Sequence, residues 1–315
     1  KRFMRARFQM RLTLMKKENK NMTEHNIVIG SRGSRLAVIQ SEMVRDFIRE
    51  KKPGCQVEIL TMKTTGDKIL DRTLEKIGGK GLFVKELDIA LAEGRIDCCV
   101  HSLKDMPMEE NPDFPITALP KRGDPRDVLV LPQMQHFENI TAQIGSSSFR
   151  RQIQLKKLFP SCHCLPVRGN IITRLQKLDC GEFSSLVLAG AGLQRVGLSE
   201  RISRYFSTDE MIPAAGQGIL AVQSRKNEDV SFLSCIHNKE SEYAALAERA
   251  FVRTLDGGCS SPIAAYAQIH GTELKLTGLY AKEHQWEYVI DSVTGNTEDA
   301  VQLGEQLSQT MKGRL

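Results

Sequence analysis

Cationic side chains gather where short apolar runs end. Arg32 and Ser34 follow Ile27-Val28-Ile29, and Ser102-Leu103-Lys104-Asp105 follows the run Asp97 to Val100. Ser146-Ser147-Ser148-Phe149-Arg150-Arg151 follows Ile144, Arg168-Gly169-Asn170 leads to Arg174, and Arg195 comes after Gly190-Ala191-Gly192. Any one of these could be a solvated loop charge or a helix cap, because exposed charges are the norm. Six or more guanidinium and ammonium groups around one cleft, however, repel one another unless a polyanion enters. Guanidinium is the preferred bidentate partner of carboxylate and phosphate. The pattern predicts a polyanionic ligand large enough to touch two domains.

Two other residues could do chemistry. Asp105 lies beside Lys104 after a buried-looking strand, where a carboxylate could meet developing positive charge and exchange protons; a helix N-cap or a salt bridge is the structural alternative. Cys259 follows Asp256-Gly257-Gly258, unlike the other seven thiols. Glycines let a ligand approach closely, so Cys259 is the thiol placed to act as a nucleophile, with an inert loop cysteine as the alternative. Nucleotide motifs fail. Gly190-x-Gly192 has Arg195 in place of the third glycine of a dinucleotide fingerprint, and Gly78-Gly79-Lys80-Gly81 has Gly81 where a P-loop needs Ser or Thr. The latter reads better as a loop hinge.

The elements that must position these residues alternate apolar runs with helical periodicity from Ile27 to about Ile236, the sign of parallel α/β architecture. Strands are predicted at Ile27–Ile29, Val57–Met62, Asp97–Val100, Val128–Leu131, Ile144-Gly145, 162–167 and Ser185–Ala189. Helices are predicted after Ser34, around Phe83–Leu91, and near 149–159 and 171–180. The proline-rich stretch from Met106 to Pro125 reads as a domain crossing. A helix near 241–255, alternating segments at 272–280 and 286–290, and a final helix near 298–312 predict a small α+β domain.

The chain has 315 residues, 41% of them hydrophobic and 26% charged, enough for two or three domains with their own cores. No run of apolar residues is long enough to cross a bilayer. The net charge of +6 suggests nucleic acid until it is located. Residues 1–20 carry eight Lys or Arg against Glu18 alone, which leaves 36 bases and 37 acids for the rest. The body is neutral, and a nucleic-acid role would rest on the tail. That tail reads as a presequence remnant, a disordered basic arm or vector sequence, with Met22 as a candidate start. The eight cysteines have no CxxC spacing, so no zinc site is expected and most are predicted to be reduced thiols in a reducing compartment.

Several ordered blocks carry a family resemblance. They are Thr65-Gly66-Asp67, Gly79 to Leu87, Val100 to Asp105, Ser147 to Gln152, Arg168-Gly169-Asn170, Gly216-Gln217-Gly218 and Leu255 to Cys259. In these the chain resembles the hydroxymethylbilane synthases, or porphobilinogen deaminases, from about Ile27 to the last helix. Ser31 and Ser146 stand where Thr is usual, both conservative hydroxyl exchanges.

The resemblance implies two α/β domains built like periplasmic binding proteins plus a smaller C-terminal α+β domain. Their bounds would be 24–120 with 217–237, 121–216, and 238–315, after a basic tail over 1–23. It implies a dipyrromethane cofactor joined by a thioether to Cys259, and head-to-tail joining of four porphobilinogens into hydroxymethylbilane with release of ammonia. Asp105 would be catalytic, handling protons and stabilising pyrrolic and azafulvene cations. The cofactor would be held by Lys104, Asp105, Ser102, Ser146, Ser147, Ser148, Arg150, Arg151, Arg168, Gly169, Arg174 and Arg195. Substrate would meet Arg32, Ser34, Arg150, Arg174, Gln217, Lys80 and Phe83, the last two at a lid near 63–81. Leucine at Arg150 or Arg151 would leave the fold intact. The expected protein is a cytoplasmic monomer without nucleic-acid, membrane or metal partners, with organelle targeting by the tail left open. The alternative on the same scaffold is a non-catalytic binding protein for a polycarboxylate, which would need neither Cys259 nor the Lys104-Asp105 pair.

Overall fold

The computed structural model describes residues 26–63, 84–133, 139–258, 261–282 and 285–315. The basic tail, the expected lid beyond Lys63, Lys80, Phe83 and Cys259 lie outside these residues.

The first sheet begins with β1 (Asn26–Arg32), which leads through Ser34 into α1 (Arg35–Lys51). Ser34 Oγ accepts from the Ala37 amide, and Ala37, Gln40, Ser41, Val44 and Ile48 form the buried stripe, so cap and periodicity agree on where this helix starts and faces. β2 (Gln56–Met62), α2 (Lys85–Ala92), β3 (Cys98–Ser102) and β4 (Ile116–Ala118) follow. The chain then crosses to a second sheet. This runs β5 (Asp127–Val130), β6 (Gln143–Gly145), α3 (Phe149–Leu158), β7 (His163–Leu165), α4 (Ile171–Asp179), β8 (Ser185–Ala189), α5 (Gly190–Arg195) and β9 (Ile202–Tyr205). It crosses back to add β10 (Leu220–Ser224) to the first sheet.

The strand orders are β2-β1-β3-β10-β4 and β7-β6-β8-β5-β9. In each sheet the fourth strand runs against both neighbours, while the first three are parallel. The antiparallel strand is each time the first one after a crossing. The sequence pattern predicted parallel architecture and missed β4, β9 and β10. Periodicity reports which faces are buried and not strand direction: β10 is buried at all five positions and reads alike in either sense.

The two crossings lie against each other. The Gly123 amide donates to Gly218 O at 3.1 Å, Arg122 Nε to Gln217 O at 2.9 Å and Arg195 Nη2 to Gly218 O at 2.6 Å. Gly218 has φ +90, and a Cβ there would stand 2.8 Å from Gly123 O, so this approach requires glycine.

A third unit follows: α6 (Lys239–Thr254), β11 (Ile263–His270), β12 (Glu273–Tyr280), β13 (Val289–Asn296) and α7 (Ala300–Lys312). The three strands form an antiparallel sheet in the order β11-β12-β13, one strand more than the sequence pattern predicted. Its core, with Phe251, Leu274, Leu276 and Leu307, continues into Leu103, Met106, Leu119 and Ile219 of the first unit. Buried Glu248 on α6 takes Arg122 Nη1 at 2.6 Å and the amides of Gly216 and Ala267 at 2.7 and 2.8 Å, so its charge is compensated while it ties the third unit to a crossing. The result is two α/β units and a smaller α+β unit.

Candidate active site

Parallel strands and the helices after them bring strand ends and helix starts to one edge of a sheet, so residues far apart in sequence meet there. At the first sheet one pocket is lined by Arg32, Ser34, Gln40, His101, Ser102 and Asp105. Arg32 ends β1, Ser34 caps α1, and Ser102 ends β3 with its Oγ accepting from Gln40 Nε2 at 2.9 Å. Buried His101 contacts Cys99 Sγ through Nε2 at 3.1 Å, and burial with the nearby Arg32 charge pushes its imidazole down to about 4. It is neutral beside the pocket at ordinary pH.

A 3-10 turn at Leu103–Asp105 continues from β3, aiming successive side chains different ways: Leu103 into the core, Lys104 toward the second sheet and Asp105 into the open pocket. Asp105 ends this turn and caps no helix.

At the second sheet the arginines are held from within. Arg150 and Arg151 open α3, both buried, and both meet Asp127 at the start of β5. Arg150 Nη1 donates to Asp127 Oδ2 at 2.7 Å and to Ile212 O at 2.7 Å. Arg151 donates to Asp127 Oδ1 from Nε at 3.0 Å and Nη2 at 2.7 Å, and to Val187 O from Nη1 at 3.0 Å. Burial alone would raise the Asp127 carboxyl, but the two guanidiniums outweigh it and hold it far below the usual carboxylate range. Gln217, buried in the returning crossing, donates from Nε2 to Asp127 Oδ1 at 3.0 Å and accepts at Oε1 from Lys104 Nζ at 3.3 Å. A continuous bridge therefore runs from Lys104 of the first unit through Gln217 to Asp127, Arg150 and Arg151 of the second.

Ser147 and Arg168 sit on neighbouring loops, joined where Ser147 Oγ donates to Val167 O and accepts from the Val167 amide, both at 2.9 Å. Ser146 is buried, its carbonyl taking Gln152 Nε2, and Ser148 is the residue before α3. Gly169, with φ +110, admits no Cβ because Thr173 would lie 2.8 Å away. Its carbonyl accepts from Arg174 Nε at 2.8 Å. Burial, with repulsion from Arg151 and Arg168, pushes Arg174 down to about 10 against the pull of Asp105, which places these four charges within electrostatic reach of one another. Arg195 stands apart from this group, tied to the crossing through Gly218 O and pushed down to about 10 by burial.

Burial also pushes Lys104 down to about 8, helped by repulsion from Arg151 and Arg150 and opposed by Asp105 and Asp127. Its charge is present below that pH and lost above it. Acylation of Lys104, followed by peptide mass spectrometry across pH, should give a midpoint near 8; a midpoint at the ordinary lysine value of 10.5 would show that its surroundings are not these.

Asp127 and Gln40 were not singled out in the sequence. Asp127 carried a signal, an acid heading a fully buried strand, but its partners are 23 and 24 residues away along the chain. A second, open depression beside Ile153, Lys157, Trp286 and Tyr288 contains none of the expected site residues. Among the described residues no group of three His, Cys, Asp or Glu could hold a metal ion, and no helix is long and apolar enough to cross a membrane.

The family model described as porphobilinogen deaminase, dipyromethane cofactor binding domain, matches residues 27–232, and its C-terminal domain matches 243–313. The chain is 58% identical over 286 residues to porphobilinogen deaminase of Ruminiclostridium josui, covering 91% of this chain and 97% of that one. It is 54% identical over 287 residues to porphobilinogen deaminase of Alkaliphilus oremlandii, with the same coverage of 91% and 97%. Among solved structures, the periplasmic aliphatic sulphonate binding protein SsuA from Escherichia coli is similar with TM-score 0.38 and 10% identity, covering 74% of this chain and 71% of that one. The two matched domains and the near full-length identity establish that the chain belongs to the porphobilinogen deaminase family.

Proposed function

We propose that this chain joins four porphobilinogens head to tail into hydroxymethylbilane, releasing ammonia, on a dipyrromethane primer bound through Cys259. What supports the reading is the bridge from Lys104 through Gln217 to Asp127, Arg150 and Arg151, which brings cations of both α/β units together beside Asp105. Each pyrrole of such a ligand carries an acetate and a propionate, and buried guanidiniums are the matching partners. The described residues fit a polycarboxylate group: positive charge converges there, and the Asp256-Gly257-Gly258 turn leads directly to Cys259.

When bound, the dipyrromethane supplies the terminal pyrrole carbon at which the chain grows. Arg150, Arg151, Arg168 and Arg174 hold carboxylates and orient the rings, with Lys104 adding its charge. Arg32 and Ser34, at the pocket of the first unit, receive the incoming substrate beside Asp105. Asp105 keeps a negative charge next to the cations that form as ammonia leaves, and moves a proton at its carboxylate. Ser102, Ser146, Ser147, Ser148, Gly169 and Gln217 shape the loops around these groups, and Arg195 holds the returning crossing through Gly218 O. We further propose domain bounds of 24–120 with 217–237, 121–216 and 238–315, and a cytoplasmic monomer.

Peptide mapping of the native protein tests the central claim. It should find a two-pyrrole adduct on Cys259 and on none of the other seven cysteines; active protein with unmodified Cys259 would overturn it.

A further inference from the structure

Arg150 and Arg151 are consecutive on a helix, so their side chains leave it about 100° apart and would diverge unless something gathered their heads. Asp127 does so, with Oδ2 taking Arg150 and Oδ1 taking Arg151 and Gln217. The carboxylate is fully buried. Through Gln217 the same oxygen settles which end of that amide faces Lys104: with Nε2 committed to Asp127 Oδ1 and Pro125 O, only Oε1 is left for the ammonium. Among the described residues Arg150 makes its bonds through Nη1 alone, so its remaining N–H groups are not spent on the protein. Two carboxylates, Asp127 and Asp105, against the guanidiniums of Arg150, Arg151, Arg168 and Arg174 and the Lys104 ammonium also leave positive charge in excess at the site.

We propose that Asp127 is a positioning residue for the reaction: it fixes both guanidiniums and the Gln217 amide in one arrangement, and so sets where the ligand carboxylates and the Lys104 ammonium stand. The proposal rests on the site reading above. It also predicts why an amide cannot replace the acid. In Asp127→Asn the nitrogen must face either Arg150 or the pair Arg151 and Gln217, and in both orientations donor meets donor.

The test is Asp127→Asn in the full chain, with circular dichroism and melting to follow the fold. Three functional readouts go with it: intact mass to follow adduct loading, kcat and KM for porphobilinogen, and the pH midpoint of Lys104 acylation. The charged groups facing Lys104 are Asp105, Asp127, Arg150 and Arg151. Removing the Asp127 charge should therefore move the Lys104 midpoint down. Loading should fall and KM should rise on the order of tenfold or more, because carboxylate contacts act on bound substrate and transition state alike. A KM within twofold of wild type overturns the proposal. A Lys104 midpoint that moves up, toward that of free lysine, with loss of the cooperative melt means that Asp127 only holds the fold, and overturns it as well. If the asparagine variant does not fold, Asp127→Glu keeps the charge but displaces it by one methylene; raised KM then supports positioning, and wild-type KM refutes it. Wild-type protein that neither loads nor consumes porphobilinogen would sink the substrate reading, while a lowered Lys104 midpoint in Asp127→Asn would still uphold the arrangement.

Discussion

Asp105→Asn should cut turnover by roughly 10² or more while the melting temperature barely changes, the scale expected on losing a positioned acid–base group. Asp105 is exposed at the end of its 3-10 turn, and among the described residues its side chain donates and accepts no hydrogen bond that holds the fold. Asparagine keeps its shape, so little stability is at stake. The electrostatics point the other way: the carboxylate pulls on both Lys104 and Arg174, one from each α/β unit, and so lies within electrostatic reach of cations from both. Measuring rate and melting on the same adduct-loaded sample separates the two roles. Near-normal turnover would remove Asp105 from the mechanism.

Arg151→Leu should fail in two ways at once. Removing one partner of a buried ion pair typically costs about 3–5 kcal/mol, because the charge left behind is neither solvated nor matched. Here Asp127 would keep Arg150 and the Gln217 amide but lose its second guanidinium, and Val187 O would lose its donor, so the loss falls at the lower end of that range. The melting temperature should therefore fall by several degrees, and adduct loading, read by intact mass, should drop even below that temperature. This corrects the expectation from sequence that leucine at either arginine leaves the fold intact. A variant that melts like wild type would mean that the Asp127 contacts are not made in solution. One that melts lower yet loads normally would confine Arg151 to a structural role.

That correction shows where sequence reading stops. The basic residues at strand ends were legible because the βα pattern puts a loop after each parallel strand, and Arg32, Ser102, Lys104, Asp105, Arg150 and Arg174 all emerge at such places. The helices from Phe149 and Ile171 and the strand Ser185–Ala189 were likewise readable from periodicity and caps. What Arg150 and Arg151 are bonded to was not. Their partner heads a different strand, and an acid before an apolar run looks the same whether it faces water or two guanidiniums. Gln217 stood out only as part of a glycine-flanked block, whereas its bridge from Lys104 to Asp127 exists because the crossing returns between the two units. Strand direction was hidden for the same reason: β5 and β10 carry no local mark of being antiparallel.

The late return of β10 has a consequence for how such a chain is made. The second sheet is built from consecutive residues and can close as soon as Tyr205 has left the ribosome. The first cannot, because β3 and β4 are joined only by a strand at Leu220–Ser224, synthesised after the whole second unit. Until then both strands present unpaired edges, the kind of surface that templates wrong pairing. For the same reason a chain cut just before residue 220 would lose the strand that joins β4 to the rest of its first sheet, along with its third unit.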